Sequence, residues 1–383
     1  AFDVGRLDAT SYLKITGITG DESLTGFASG STLEDSAADN ATTDILTLGV
    51  TGASTGSSDV LNVVLSASSD VDYGVTAIAD VETINIDSTE GTASATVRAG
   101  TIGLTISQQA SPNNNAQTVN FTGTESITVD TAIAAGTISA AGMTVAAATD
   151  AGLTMSTAHT AAQTITGSGK VDTLFGSTNA DTINAGAGAD TIYGGVGGDT
   201  IDGGDGIDTY RDDGALTAAT VEGTGTGTST GVVVNLGSAA ITNSAVLAQI
   251  AQDLSGSLTS VDAGKVAYVF NGSAVVNTTV TDTLTNIENV TLFDGINYIV
   301  GSDAANVITG GTGTDYVSGG LGADTIDGGS SSDVISLTET TSAADIIKIS
   351  AVTHGSLYFD GSDSDGIINA GLGDDLTEST STA

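Results

Sequence analysis

The sequence predicts an all-β fold made of parallel β-solenoid (β-roll) coils, with a β-rich N-terminal region and one small α/β insertion. Three observations predict it. Two blocks, 167–211 and 292–336, each divide into five consecutive nine-residue repeats with nothing inserted. Short strand-like segments separated by Gly, Ser, Asn or Ala recur from about residue 45 to 166. The one segment with a clear helical period, 244–255, lies between the two blocks.

The first block reads GSGKVDTLF, GSTNADTIN, AGAGADTIY, GGVGGDTID and GGDGIDTYR. Position six is always aspartate: Asp172, Asp181, Asp190, Asp199 and Asp208. Position eight is large and apolar or aromatic: Leu174, Ile183, Ile192, Ile201 and Tyr210. The second block reads LFDGINYIV, GSDAANVIT, GGTGTDYVS, GGLGADTID and GGSSSDVIS, with Asn297, Asn306, Asp315, Asp324 and Asp333 at position six. Glycines at fixed places let the chain turn through crowded or left-handed backbone conformations. The alternating D-x-U-x segment reads as a short strand with one side chain facing inward. One repeat cannot bury its single large side chain, so repeats must stack. Stacking brings the aspartates of successive layers together, where they repel unless a cation lies between them. A hard divalent ion held by carboxylate and main-chain carbonyl oxygens suits that place. A flexible Gly/Asp linker would not keep an apolar residue in phase for five repeats.

This G-G-x-G-x-D-x-U-x pattern resembles the RTX family of calcium-binding nonapeptide repeats. The resemblance implies a parallel β-roll with two repeats per coil and Ca2+ in the turns. It further implies that Asp172 and Asp190 share one ion, Asp190 and Asp208 a second, and Asp181 and Asp199 a third. In the second block the implied pairs are Asn297 with Asp315, Asp315 with Asp333, and Asn306 with Asp324. The chain departs from the pattern at position four, where Lys170, Asn179 and Ala304 replace glycine. Asn297 and Asn306 supply an oxygen but no charge. Full calcium sites are therefore expected at the middle of each block and weak or absent ones at the entering ends.

Composition narrows the function classes. Of 383 residues, 46 are Asp or Glu and 7 are Lys or Arg, a formal charge of −39. Nucleic acid and anionic membrane are poor partners for such a surface. Disorder is disfavoured by 39% hydrophobic residues and by the phased repeats. With no cysteine there is neither a disulfide frame nor a thiol site. No apolar run of about twenty residues offers a transmembrane helix, and membrane insertion is not expected. No charged-then-apolar leader precedes the first segment, so a mature or excised chain is expected.

The domain organisation expected in chain order is as follows. Residues 1–166 form a β-rich region, with a strand in YLKITGIT (12–19) and a solvated acidic loop or further calcium loop at 33–44. ADVETINID and GTESITVD resemble strand repeats in the lattice-forming parts of RTX-type bacterial S-layer proteins exported by the type I route. A β-roll follows at 167–211. An insertion at 212–291 then loops out between the rolls, with strands at GVVVNL (231–236) and KVAYVF (265–270). Its helix starts at Ser244 as N-cap and carries Val246, Leu247, Ile250, Ala251 and Leu254 on one face. DTLTNIENVTLF (282–293) leads into the second roll, 292–336. A β and acidic tail, 337–383, includes Asp360, Asp363 and Asp365 in one turn, short of a complete EF-hand ligand set.

No catalytic constellation stands out. Gly52-Ala53-Ser54-Thr55-Gly56 and Gly227-Thr228-Ser229-Thr230-Gly231 spell G-x-S-x-G, but neither leads into a helix as a nucleophile elbow requires. His159 and His354 lack a zinc-binding spacing and read as surface or half-buried residues. Paired carboxylates are explained by calcium rather than by a glycosidase dyad. The function expected is a calcium-dependent, secreted structural protein of the cell surface, not an enzyme, that self-assembles as an S-layer or similar array. Its partners are then copies of itself joined through calcium, with a cell-surface glycan as a further candidate. The alternative is an RTX adhesin or ligand-binding module without self-assembly. A row of threonines, Thr173, Thr182, Thr191, Thr200 and Thr209, raises ice binding as a third idea, but the turn positions beside it do not repeat.

Overall fold

The structure is a computed structural model. It describes residues 2–3, 12–16, 21–36, 45–53, 58–66, 71–88, 99–107, 117–144, 151–159, 161–177, 179–195, 197–212, 229–242, 260–270, 281–292, 296–313, 315–330, 333–336, 346–348, 358–360 and 367–369. The fold is all-β, and among the described residues there is no helix. The expected helix at 244–255 lies outside the described residues. The chain divides into two compact units, 1–191 and 192–383.

In the N-terminal unit successive strands alternate between two parallel sheets. One sheet holds, in order, Phe2–Asp3, Glu22–Phe27, Ile45–Val50, Val71–Ala79, Ala99–Ser107, Ser126–Val129, Ala151–Met155 and Val171–Ser177. The other holds Tyr12–Ile15, Thr32–Asp35, Val60–Leu65, Thr83–Asp87, Thr118–Gly123, Thr137–Met143, Thr164–Thr166 and Thr182–Asn184. The register follows from period two, because shifting a strand by one residue would turn its apolar set outward. Leu61, Ile84, Val119, Ile138, Ile165 and Ile183 stand on one another down six strands, and all are buried. A second rung stacks Leu33, Val63, Ile86 and Phe121. On the outer face Asn120 donates to Asn85 at 2.9 Å and Asn85 to Asn62 at 2.8 Å. That ladder gives polar residues a partner where a strand has no apolar neighbour.

The acidic segment expected as a solvated loop is different at its start. Thr32–Asp35 is a strand, and Glu34 and Asp35 are buried. Glu34 accepts from Lys14 Nζ at 2.6 Å and from Ser66 Oγ, so its charge is matched across neighbouring coils. Residues 37–44 lie outside the described residues. The strand Val71–Ala79 was not anticipated, because Gly74 and Asp72 interrupt its alternation.

In the C-terminal unit one sheet stacks Thr209–Asp212, Asn289–Leu292, Val307–Thr309, Thr325–Asp327, Ile346–Lys348 and Ile367–Asn369, all parallel. The other runs Thr200–Asp202, Thr281–Thr285, Lys265–Phe270, Ser229–Asn235, Tyr298–Val300, Tyr316–Ser318, Val334–Ser336 and Tyr358–Asp360. Lys265–Phe270 is antiparallel to both of its neighbours. The described strands of 212–291 therefore do not loop out: they are spliced into this sheet. The reason is apolar. Val232, Val233, Val234 and Val266 are buried and need the sheet to cover them. Ser229 of the second G-x-S-x-G opens a strand, not a turn into a helix. Ser54 of the first lies outside the described residues.

Candidate metal centre

Position six has one geometry wherever it is described. The residue stands two places before the inward apolar residue, immediately before a strand except at Asp172, the second residue of Val171–Ser177, and its side chain is buried. Asp172, Asp181, Asp190, Asp199, Asp208, Asn297, Asn306, Asp315, Asp324 and Asp333 are all between 0% and 3% exposed. Each accepts a main-chain N–H from the coil before it where that bond is described. Asp172 N donates to Asp190 Oδ1 at 2.7 Å, Asn297 N to Asp315 Oδ1 at 2.9 Å, Asn306 N to Asp324 Oδ1 at 2.8 Å, and Asp315 N to Asp333 Oδ1 at 3.0 Å. The partners are 18 residues apart, two repeats, so one side of the roll stacks carboxylate on carboxylate.

Position two decides what becomes of the second oxygen. In three of the entering repeats it is serine, Ser168, Ser177 and Ser302, while Phe293 of the repeat that carries Asn297 lies outside the described residues. Ser168 donates its N–H at 2.6 Å and its hydroxyl at 2.9 Å to Asp172 Oδ2, while Leu153 N reaches Oδ1 at 2.6 Å. Ser177 N donates to Asp181 Oδ2 at 2.5 Å, and Gln163 N to Oδ1 at 2.5 Å. Ser302 N likewise donates to Asn306 Oδ1 at 2.8 Å. Further into a block position two is glycine with positive φ, as at Gly186 (104°) and Gly320 (97°). A Cβ there would lie 2.1 Å from the Ser168 carbonyl oxygen and 2.2 Å from that of Ser302. Serine is thus admitted only where no repeat turn is stacked in front, and it closes that turn with its own donors.

Asp315 shows the open form. It is fully buried, and its Oδ2 accepts no hydrogen bond. A Cβ at Gly310 would meet that oxygen at 2.5 Å and the Gly328 carbonyl oxygen at 2.7 Å, so the cradle depends on glycine. Burial pushes the Asp315 carboxyl up to about 7; hydrogen bonds from Asn297 pull it down, and the charge of Asp333 pushes it up again. Burial also raises Asp172 to about 6, against the hydrogen bonds from Leu153 and Ser168, and raises Asp181. A buried oxygen without a donor, beside carbonyls and a second anion, fits a hard cation. Among the described residues no three His, Cys, Asp or Glu side chains converge. A cation here must therefore take carboxylates in ones and twos and complete its shell from main-chain oxygens.

The asparagines differ. Asn297 Nδ2 donates to the Gly310 carbonyl at 3.0 Å, and Asn306 Nδ2 donates to the Glu288 carbonyl. Their amide hydrogens satisfy acceptors that a carboxylate would leave available.

Two acidic residues went unrecognised in the sequence. Asp199 N donates to Asp282 Oδ1 at 2.9 Å, and Tyr210 OH donates to Asp282 Oδ2 at 3.0 Å. Asp208 N donates to Glu288 Oε2 at 2.8 Å. Asp282 and Glu288 thus take the place of the next position six across the splice. A signal existed, since each stands two residues before an inward apolar residue, Leu284 and Val290. His159 was expected at the surface or half-buried and is buried, with partners for both ring nitrogens. Ile133 N donates to Nδ1 at 2.9 Å, Nε2 lies 3.2 Å from Met155 Sδ, and burial lowers its pKa to about 4. His354 lies outside the described residues.

Parallel coils with stacked buried carboxylates in glycine turns define a β-roll of the cation-binding class. The family comparison agrees: residues 161–192, 175–210, 293–326 and 300–335 match the RTX calcium-binding nonapeptide repeat in four copies. The two blocks are RTX repeats, and RTX nonapeptide repeats bind Ca2+. RTX repeat regions generally serve structure or binding, and proteins that carry them are typically exported by the type I route and extracellular. No curated protein and no solved structure showed a significant match to the chain.

Proposed function

We propose that this chain is a calcium-folded structural protein of the cell surface, without catalytic activity, that self-assembles as an S-layer or similar array. The observation that carries the reading is that the non-repeat half uses the same stacked parallel coil as the repeat half, in register through Ile165 and Ile183. A chain given over to such coils presents repeated surfaces rather than one cleft.

In this reading Asp190, Asp199, Asp208, Asp315, Asp324 and Asp333 are the principal ligands, while Asp172, Asp181, Asn297 and Asn306 hold the entering turns through protein hydrogen bonds. Bound calcium supplies the positive charge that buried carboxylates lack. Where calcium is scarce the carboxylates repel one another and the chain stays unfolded and exportable. Outside, ligand binding contributes folding free energy directly. A site held at 100 times its dissociation constant adds about 2.7 kcal/mol, and several rival the roughly 5–15 kcal/mol of an ordinary domain. Neutralisation also lets copies approach, since charges on a chain of −39 repel over a screening length of about 8 Å at physiological salt.

Electron micrographs and light scattering during a millimolar calcium titration test this. Ordered assemblies that dissolve in chelator are expected. A protein that folds by circular dichroism yet stays monomeric at high concentration overturns the array. One observation favours the adhesin alternative: the rings of Tyr298 and Tyr316 meet edge to face at 6.4 Å on neighbouring coils, an aromatic pair of the kind that stacks on sugars. Glycan binding by a calcium-saturated monomer would select that reading.

A further inference from the structure

The position-six column does not stop at the first repeat block. Register carries Ile183 back through Ile165, Ile138, Val119 and Ile84 to Leu61. The residues two places earlier are Asp181, Gln163, Gly136, Gln117, Glu82 and Asp59. They hold the same inward parity and the same place before a strand as position six. Two pairs of the column also share the hydrogen bond of position six: Asp59 N donates to Glu82 Oε2 at 2.8 Å and Gln163 N to Asp181 Oδ1 at 2.5 Å, as Asp172 N does to Asp190. No nonapeptide signature covers 59–117, and the RTX matches begin only at residue 161.

Within this column Asp59 and Glu82 place two carboxylates on adjacent coils, and Gln117 stands on the next. Gln117 is 2% exposed. Its Nε2 donates to the Val81 carbonyl at 2.9 Å, which lays the amide over the Val81–Glu82 segment. Its Oε1 is buried and accepts no hydrogen bond, and neither does the buried Oδ2 of Asp59. An orphaned buried carbonyl oxygen is destabilising unless something donates to it or coordinates it. Two such oxygens lie on the coils either side of Glu82, and among the described residues no Lys or Arg bonds to any of the three. Buried acceptors without donors, on coils either side of a carboxylate, call for a cation, and all-oxygen donors call for a hard one. A water molecule is the competing occupant, but it leaves two adjacent carboxylates unneutralised.

We propose that Asp59, Glu82 and Gln117 form a calcium site of their own outside the RTX blocks, one that staples the N-terminal coils. It uses the column geometry of the repeats without their glycine turns. Calcium there would couple folding of the non-repeat half to the same ion that folds the repeats.

The test uses the full chain and calcium alone. Equilibrium dialysis with radioactive calcium counts bound ions in the wild type, in Glu82→Gln, in Asp59→Asn and in Asp315→Asn as a repeat-block control. Glu82→Gln retains an acceptor for the Asp59 N–H, so the coil has what it needs to fold. Each of the two N-terminal substitutions is expected to remove one bound calcium per chain, and the double variant still only one. A crystal grown in calcium should show an anomalous peak at the Glu82 carboxylate. Unchanged ion counts in both variants, with wild-type circular dichroism, overturn the proposal. If the variants fail to fold, the wild-type crystal decides, and a water molecule at Gln117 Oε1 overturns it. Failure of array formation leaves these ion counts untouched, so the two proposals fall separately.

Discussion

The main-chain N–H of Asp172 donates to the side chain of Asp190 at 2.7 Å, 18 residues further along. Each position-six carboxylate thus orders the coil before it, whatever else it binds. That dual role separates its structural cost on mutation from its calcium cost.

Asp190→Ala should lower calcium affinity more than Asp172→Ala. Asp172 already has Leu153 and Ser168 as donors to both oxygens. Calorimetric titration of the two variants checks this, and equal losses would refute the closed entering turn.

Position two can be tested by Gly320→Ala. The new methyl would lie 2.2 Å from the Ser302 carbonyl oxygen, on a backbone of φ 97°. The strain alone should cost about 1–3 kcal/mol, and movement of the turn should weaken calcium binding as well. Denaturant melts in excess calcium measure the first effect, and melts in chelator separate it from the second.

The splice predicts an order of effects at Tyr210 and Asp282. Tyr210→Phe removes one hydrogen bond to the Asp282 carboxylate and should cost roughly 1.5–3 kcal/mol. Asp282→Ala leaves both Tyr210 OH and Asp199 N without that acceptor and should cost more. Thermal melts of the two variants compare them, and a reversed order would argue against the ladder across the splice.

Acidity should act in opposite directions with and without calcium. Burial raises the Asp315 carboxyl to about 7, against about 3.9 in an unfolded chain. Between those values the calcium-free fold keeps a proton that the unfolded chain has lost. The stability contributed is full below about 3.9 and is lost as pH rises to about 7. Calcium requires the ionised form, so its affinity should fall as pH drops below about 7, with protons released on binding. Calorimetry in two buffers of different ionisation enthalpy measures those protons, and Asp315→Asn should reduce their number.

Much of this was legible in the sequence. The strand Lys265–Phe270 was expected where it lies, and Ser229–Asn235 within two residues of its place. The position-six residues were expected at turns before strands, and all but Asp172, which lies inside Val171–Ser177, immediately precede one. Gly186 and Gly320 could be read as turn formers, but not as the places where a carbonyl of the neighbouring coil excludes a Cβ.

By itself the sequence determined the repeat unit: its nine-residue phase, its inward apolar residue and its acidic turn. Those properties belong to one coil, and a local pattern contains them. Only the tertiary structure decided which coil stands on which. It set Asp282 and Glu288 beneath Asp199 and Asp208 across more than 79 residues, buried Glu34 against Lys14, and extended the position-six column to Asp59 through residues that share no motif. The physical reason is that stacking is long-range. A side chain's neighbours in a solenoid lie a whole coil away, and where an insertion lengthens that coil, apolar burial rather than sequence spacing chooses the partner.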